Sequence, residues 1–184
     1  ISLLLPAVYV AMTMFHPEMI PDALLQSIIE SKKAVPFATV LEVLGLLIAF
    51  ELLQEAGISL PQSIGQTISI IGGLVVGSAA VEARLVSPAA LVAVAIAGIC
   101  GYALPGKDLS DAMRLWRFLL AVCASIAGLF GVICGAIALL IHLAGLTSFG
   151  VAYLQPFSSV RGSRALLRPR LGRQKYRDAA LHPQ

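Results

Sequence analysis

Phe118–Val160 reads FLLAVCASIAGLFGVICGAIALLIHLAGLTSFGVAYLQPFSSV, 43 residues without an Asp, Glu, Lys or Arg. About 20 apolar residues suffice to carry a helix across the hydrocarbon of a bilayer. One span, Leu115–Leu143, accounts for most of this run. The rest, LAGLTSFGVAYLQPF, is broken by Gly and Pro and reads as an interfacial or partly re-entrant segment. Two full crossings would need a turn that the sequence does not display.

The rest of the chain has the same character. Of 184 residues, 58% are hydrophobic and 12% charged, and the mean hydropathy is +0.89. Soluble domains carry about 25% charged residues. The composition argues against an ordinary soluble enzyme, a disordered chain or a nucleic-acid-binding protein, which need charge.

Working outward, residues 1–15 (ISLLLPAVYVAMTMF) form a first apolar run that starts without a basic region and resembles the cut end of a longer helix. Residues 21–35 are amphipathic, with Leu24, Leu25, Ile28 and Ile29 at helical spacing, and read as an interfacial helix. Pro36 opens a helix over 37–56, which Gly57 ends. Further helices are expected over 62–83 and 88–104, with Arg84–Pro88 a tight turn. The fold class is therefore all-α, a polytopic membrane helix bundle of about four to five membrane segments.

Residues 161–184 form a basic tail, expected to be disordered. Seven of the 13 Lys and Arg residues lie in Arg161–Arg177. The positive-inside rule places this tail in the cytoplasm, where it would attract anionic membrane lipids. A single crossing by the last segment would then put Lys107, Arg114 and Arg117 outside. Either that segment crosses twice, or these charges pair with Glu42 or Glu51.

Two groups of residues are candidate sites. Glu42 and Glu51 lie on opposite faces of helix 37–56, with Glu55 a turn beyond Glu51. Charge at membrane depth is expensive and marks a functional or paired group. They read either as interface carboxylates paired with Lys or Arg, or as a cation site or gating pair. Gly65, Ser69, Gly73 and Gly77 are spaced by four along helix 62–83. Such a strip serves close helix packing or leaves room for a water column. Beside it, Val75 and Val76 are candidates for a hydrophobic gate. Gly131 and Gly135 make a second small-residue pair, read as packing.

No Ser/His/Asp arrangement, Walker A motif, GxGxxG motif or Cys/His cluster is present, so no catalytic residue, metal site or cofactor is assigned, and an enzyme is not expected. His16 and His142 are isolated. Cys100, Cys123 and Cys134 read as small buried hydrophobes. On one straight helix Cys123 and Cys134 would stand about 16 Å apart, too far for a disulfide.

Three stretches carry a resemblance: LLLPAVYVAMTMFHPEMIP (Leu3–Pro21), ELLQEAGISLPQSIGQTISIIGGLVVGSAAVEARLVSPA (Glu51–Ala89) and HLAGLTSFGVAYLQP (His142–Pro156). In order and spacing they resemble the membrane region of the spore germinant receptor A subunit, the GerA family. Members carry a large hydrophilic domain before the first span, so this chain reads as a fragment. The resemblance implies a nutrient-receptor subunit in the inner membrane of bacterial spores, forming a homo-oligomeric ion channel. It also implies a transporter-like B subunit and a lipoprotein C subunit as partners. A non-conducting scaffold for those subunits and a secondary transporter are the alternative functions.

Overall fold

The structure, a computed structural model, describes residues 1–59, 73, 75–102, 107–148 and 151–154. Apart from one two-residue β ladder, the regular elements among them are helical. The chain forms two compact units, Ile1–Gly135 and Ala136–Gln184.

In the first unit, α1 spans Leu5–Phe15, with a proline in its first turn where no N–H is needed. It ends because Pro17 follows: His16, at φ −134° and ψ 55°, is outside the helical region that a residue before proline avoids. A 3₁₀ turn, Pro17–Met19, leads to α2, Asp22–Lys32. Asp22 in the first turn and Lys32 in the last complement the helix dipole. Of the apolar residues expected along α2, Ile28 is buried, whereas Leu24 and Ile29 are exposed.

Helix α3 spans Thr39–Ser59. It starts two residues later than the sequence suggests and runs through Gly57, whose capping signal is not used. Val43, Leu46 and Leu47 are buried, while Leu41, Ile48 and Leu52 face outward. The expected helix 62–83 is described at Gly73 and at residues 75–82, which we call α4. Its end is a Schellman cap: Leu85 N–H donates to the Ala80 carbonyl (2.9 Å) and Arg84 N–H to that of Val81 (3.0 Å). Arg84 takes the left-handed position, φ 55°, that glycine usually fills.

Helix α5, Pro88–Tyr102, opens on proline, and the Ser87 hydroxyl accepts from Ala90 N–H as an N-cap. Its buried face is small: Ala90, Ala93, Val94 and Ala97. Small side chains let α1, α3 and α5 pack against one another closely, which matters where lipid removes the hydrophobic drive between helices.

Helix α6, Lys107–Gly145, corrects the expected single span over 115–143. Ala127 (φ −128°, ψ 15°) and Gly128 (φ 59°, ψ −140°) are non-helical and break it. Beyond the break the chain doubles back. A Cβ placed on Gly131 would collide with the Cys123 carbonyl oxygen, and one on Gly135 would lie 2.5 Å from Leu120 Cδ2. Residues 15 apart on a straight helix would stand about 22 Å apart. Lys107–Ile126 and Leu129–Gly145 are thus two arms of about 30 Å and 25 Å. The straight-helix separation of Cys123 and Cys134 also fails, because a Cβ on the neighbouring Gly135 would lie 3.8 Å from Cys123 Sγ. Nor are the three cysteines buried as expected: Cys134 is exposed, and Cys100 and Cys123 are half-buried.

Large apolar side chains face outward as well as inward. Val92, Ile96 and Ile99 on α5 and Leu115, Leu119, Val122 and Ile126 on α6 point outward at helical spacing, while Glu42, Arg114 and Arg117 are buried. Among the described residues, Leu109–Gly145 alone is long and apolar enough to pass as a span, and Leu5–Phe15 and Pro88–Gly101 are shorter apolar helices.

In the second unit, the end of α6 leads into β1 (Thr147–Ser148) and β2 (Val151–Ala152), an antiparallel pair with Thr147 opposite Ala152. Tyr153 N–H donates to the Leu146 carbonyl at 2.8 Å. The basic tail and its expected disorder lie outside the described residues.

Candidate functional site

Buried polar groups define the site. Glu42, in the first turn of α3, is 2% exposed. Its Oε2 accepts twice from Ser87, from the N–H at 3.0 Å and from the hydroxyl at 2.9 Å. Tyr9 of α1 lies beside both residues. Among the described residues, Glu42 Oε1 has no hydrogen-bond partner, nor does Thr39 Oγ1, on a residue that is also 2% exposed. Ser87 therefore caps α5 and at the same time clamps α3 to it.

Glu51 faces the opposite side. Arg114 Nη1 donates to Glu51 Oε1 at 2.5 Å, and Arg114 Nη2 pairs with Asp111 one turn earlier on α6. Arg114 is only 9% exposed. With Glu55, Leu115 and Phe118 these three residues line a cavity of about 280 Å³. One turn further, Arg117 is 6% exposed and Nη2 donates to Ser2 Oγ at 2.7 Å, which donates in turn to the Ala97 carbonyl at 2.8 Å. A Cβ on Gly101 would come within 3.1 Å of Arg117 Nη2, so glycine there makes room for the guanidinium. This chain of bonds ties α6, the start of the chain and α5 together.

The glycine strip is only partly described. Gly65 and Ser69 lie outside the described residues. A Cβ on Gly73 would lie 3.7 Å from Phe50 Cε1, and one on Gly77 would lie 3.4 Å from Leu91 Cδ1. This face of α4 therefore packs on α3 and α5 of the same chain. Val75 and Val76 are exposed on the surface of α4. Among the described residues, no group of three His, Cys, Asp or Glu residues could hold a metal ion.

The sequence model described as Bacillus/Clostridium GerA spore germination protein matches residues 1–180. The chain belongs to the GerA family. It is 46% identical over 171 residues to spore germination protein KA of Bacillus subtilis (strain 168), covering 91% of this chain and 31% of that protein. It is 43% identical over 158 residues to the uncharacterized membrane protein YfkQ of the same organism, covering 86% of this chain and 31% of that protein. Against spore germination protein GerLA of Bacillus cereus the identity is 36% over 194 residues, covering 100% of this chain and 39% of the relative. The chain thus spans about a third of the length of these relatives. No solved structure matches it.

In this GerA-family chain, reading the sequence for charge finds Glu42, Glu51, Arg114 and Arg117. It misses Thr39, Tyr9, Ser2 and the role of Ser87. The one available signal was Ser87 itself, a serine directly before the proline that opens a helix, in the VSPA stretch that carries the family resemblance.

Proposed function

We propose that this chain is the membrane-embedded part of an A-type subunit of a nutrient receptor that triggers spore germination. The observation that carries this, beside the family, is an apolar outer surface together with Glu42, Arg114 and Arg117 held between helices. The subunit works by conformational change. Its charged seams hold one arrangement of helices, and ligand binding to the receptor favours another. In the spore inner membrane it assembles with further copies and with B- and C-type subunits into a path for ions.

The positive-inside rule supports one sidedness. The break at Ala127–Gly128 supports a chain that enters the membrane after Lys107 and turns back, and the positive-inside rule favours a cytoplasmic position for Lys107. The same rule favours the basic tail on the cytoplasmic side.

The test is nutrient-triggered ion release from spores whose full-length protein carries Arg114→Gln. Release should be lost or strongly delayed with the protein present at its normal level. Unchanged release would overturn the reading. The contacts of Gly73 and Gly77 inside the chain favour a second reading, a scaffold that conducts nothing. A scaffold's polar membrane residues should tolerate apolar replacement.

A further inference from the structure

We propose that Glu42, Thr39 and Ser87 frame a binding site for one monovalent alkali cation between α1, α3 and α5. This inference needs no assumption about germination.

The first ground is the pair of oxygens left without partners. Among the described residues, Glu42 Oε1 and Thr39 Oγ1 find no hydrogen-bond partner, and both residues are 2% exposed. Three residues apart on one helix, the two side chains are neighbours. Buried polar atoms in folded chains are almost always satisfied, so two orphans together call for a ligand.

Charge is the second ground. No Lys, Arg or His pairs with Glu42 among the described residues. Neutral groups lie near it: the N–H and hydroxyl of Ser87 at the start of α5 and Tyr9 on α1, with Thr39 one turn earlier on its own helix. The α5 N-terminus offers about half a positive charge. The remainder of the carboxylate charge is uncompensated in a low-dielectric interior, where it is costly.

The third ground is the chemistry of the donors. All are oxygens, the hard ligands that suit alkali and alkaline-earth cations rather than zinc or copper. A single carboxylate balances one positive charge. A divalent ion would leave a buried charge unmatched. Ser87 spends both its donors on Oε2, which leaves Oε1 open to the ion.

The experiment uses the full-length protein purified in detergent. Thermal unfolding is compared at fixed pH and equal ionic strength in sodium, potassium and choline chloride. A saturating rise of about 5 °C is expected in one alkali salt and not in choline, since a ligand that binds only the folded state stabilises it. Glu42→Gln and Thr39→Val should unfold alike in all three salts. If Glu42→Gln does not fold, Thr39→Val carries the comparison. Retention of sodium-22 or rubidium-86 by desalted protein should approach one ion per chain and fall in Thr39→Val. Equal unfolding of the parent in all three salts, or retained alkali dependence in the variants, would each overturn the site.

Discussion

Gly128 rests against Phe15: a Cβ at position 128 would come within 3.0 Å of the Phe15 Cβ and Cγ. This contact sets the turn of α6 on the end of α1. At φ 59° and ψ −140°, position 128 also has a backbone that only glycine adopts without strain. Gly128→Ala should therefore destabilise the protein by about 1–3 kcal/mol through strain alone, and by more once Phe15 is displaced. Thermal unfolding in detergent measures it. A variant that unfolds with the parent would mean that the turn lies elsewhere.

The positive-inside rule makes a prediction about sides. In a chain whose native cysteines have been replaced, single cysteines at Lys107 and Arg170 should react with an impermeant reagent from one face of the membrane. A cysteine at Ala127 should react from the other face or remain protected. Labelling of Lys107 and Arg170 from opposite faces would restore a single crossing.

How much of this was legible beforehand depends on the kind of signal. Charge at membrane depth stands out in an apolar chain, so Glu42, Glu51, Arg114 and Arg117 could be found, and pairing with Glu51 was one of the options open for the basic residues. Prolines at 17 and 88 placed helix boundaries for a local steric reason. The break at Ala127–Gly128 was not legible, because IAGLFG has no proline, no charge and no polar residue to mark a turn. It forms because Gly131 and Gly135 let the second arm lie on Cys123 and Leu120. That is a long-range packing gain, invisible to local propensity. The Thr39 hydroxyl and the Ser87 clamp were missed for a related reason: hydroxyls are common in such helices, and only the fold tells which are buried together.

Glu51→Gln separates charge from shape in the Arg114 seam. Gln can still accept from Arg114 Nη1, and Asp111 keeps its pair, but a charge-assisted bond on a buried guanidinium is weakened. Stability should fall by about 1–3 kcal/mol. In spores, nutrient-triggered germination should slow with normal protein levels. Germination at the parent rate, alongside unchanged stability, would reduce the ion pair to an incidental contact. Because the pair is part-buried, raising salt should not reproduce the effect of the substitution.

Helix α4 allows packing and conduction to be told apart, because one of its faces is packed and another is exposed. Gly73 and Gly77 face Phe50 and Leu91, whereas Val75 and Val76 are 55% and 42% exposed. Gly77→Leu should push α4 off Leu91 and lower the unfolding temperature, since the ordinary contact at 3.4 Å leaves no room for a larger side chain. Val76 substitutions leave this packing alone. If copies of the chain assemble with the Val75–Val76 face around a shared path, enlarging Val76 to Phe should block nutrient-triggered ion release. Shrinking it to Ala should leak ions and germinate spores without nutrient, as expected of a hydrophobic constriction. Both variants should unfold at nearly the parent temperature, while Gly77→Leu does not. Ion flux unaltered in both Val76 variants at normal protein level would remove α4 from the path and leave α3, with Glu42 and Glu51, as the helix to test next.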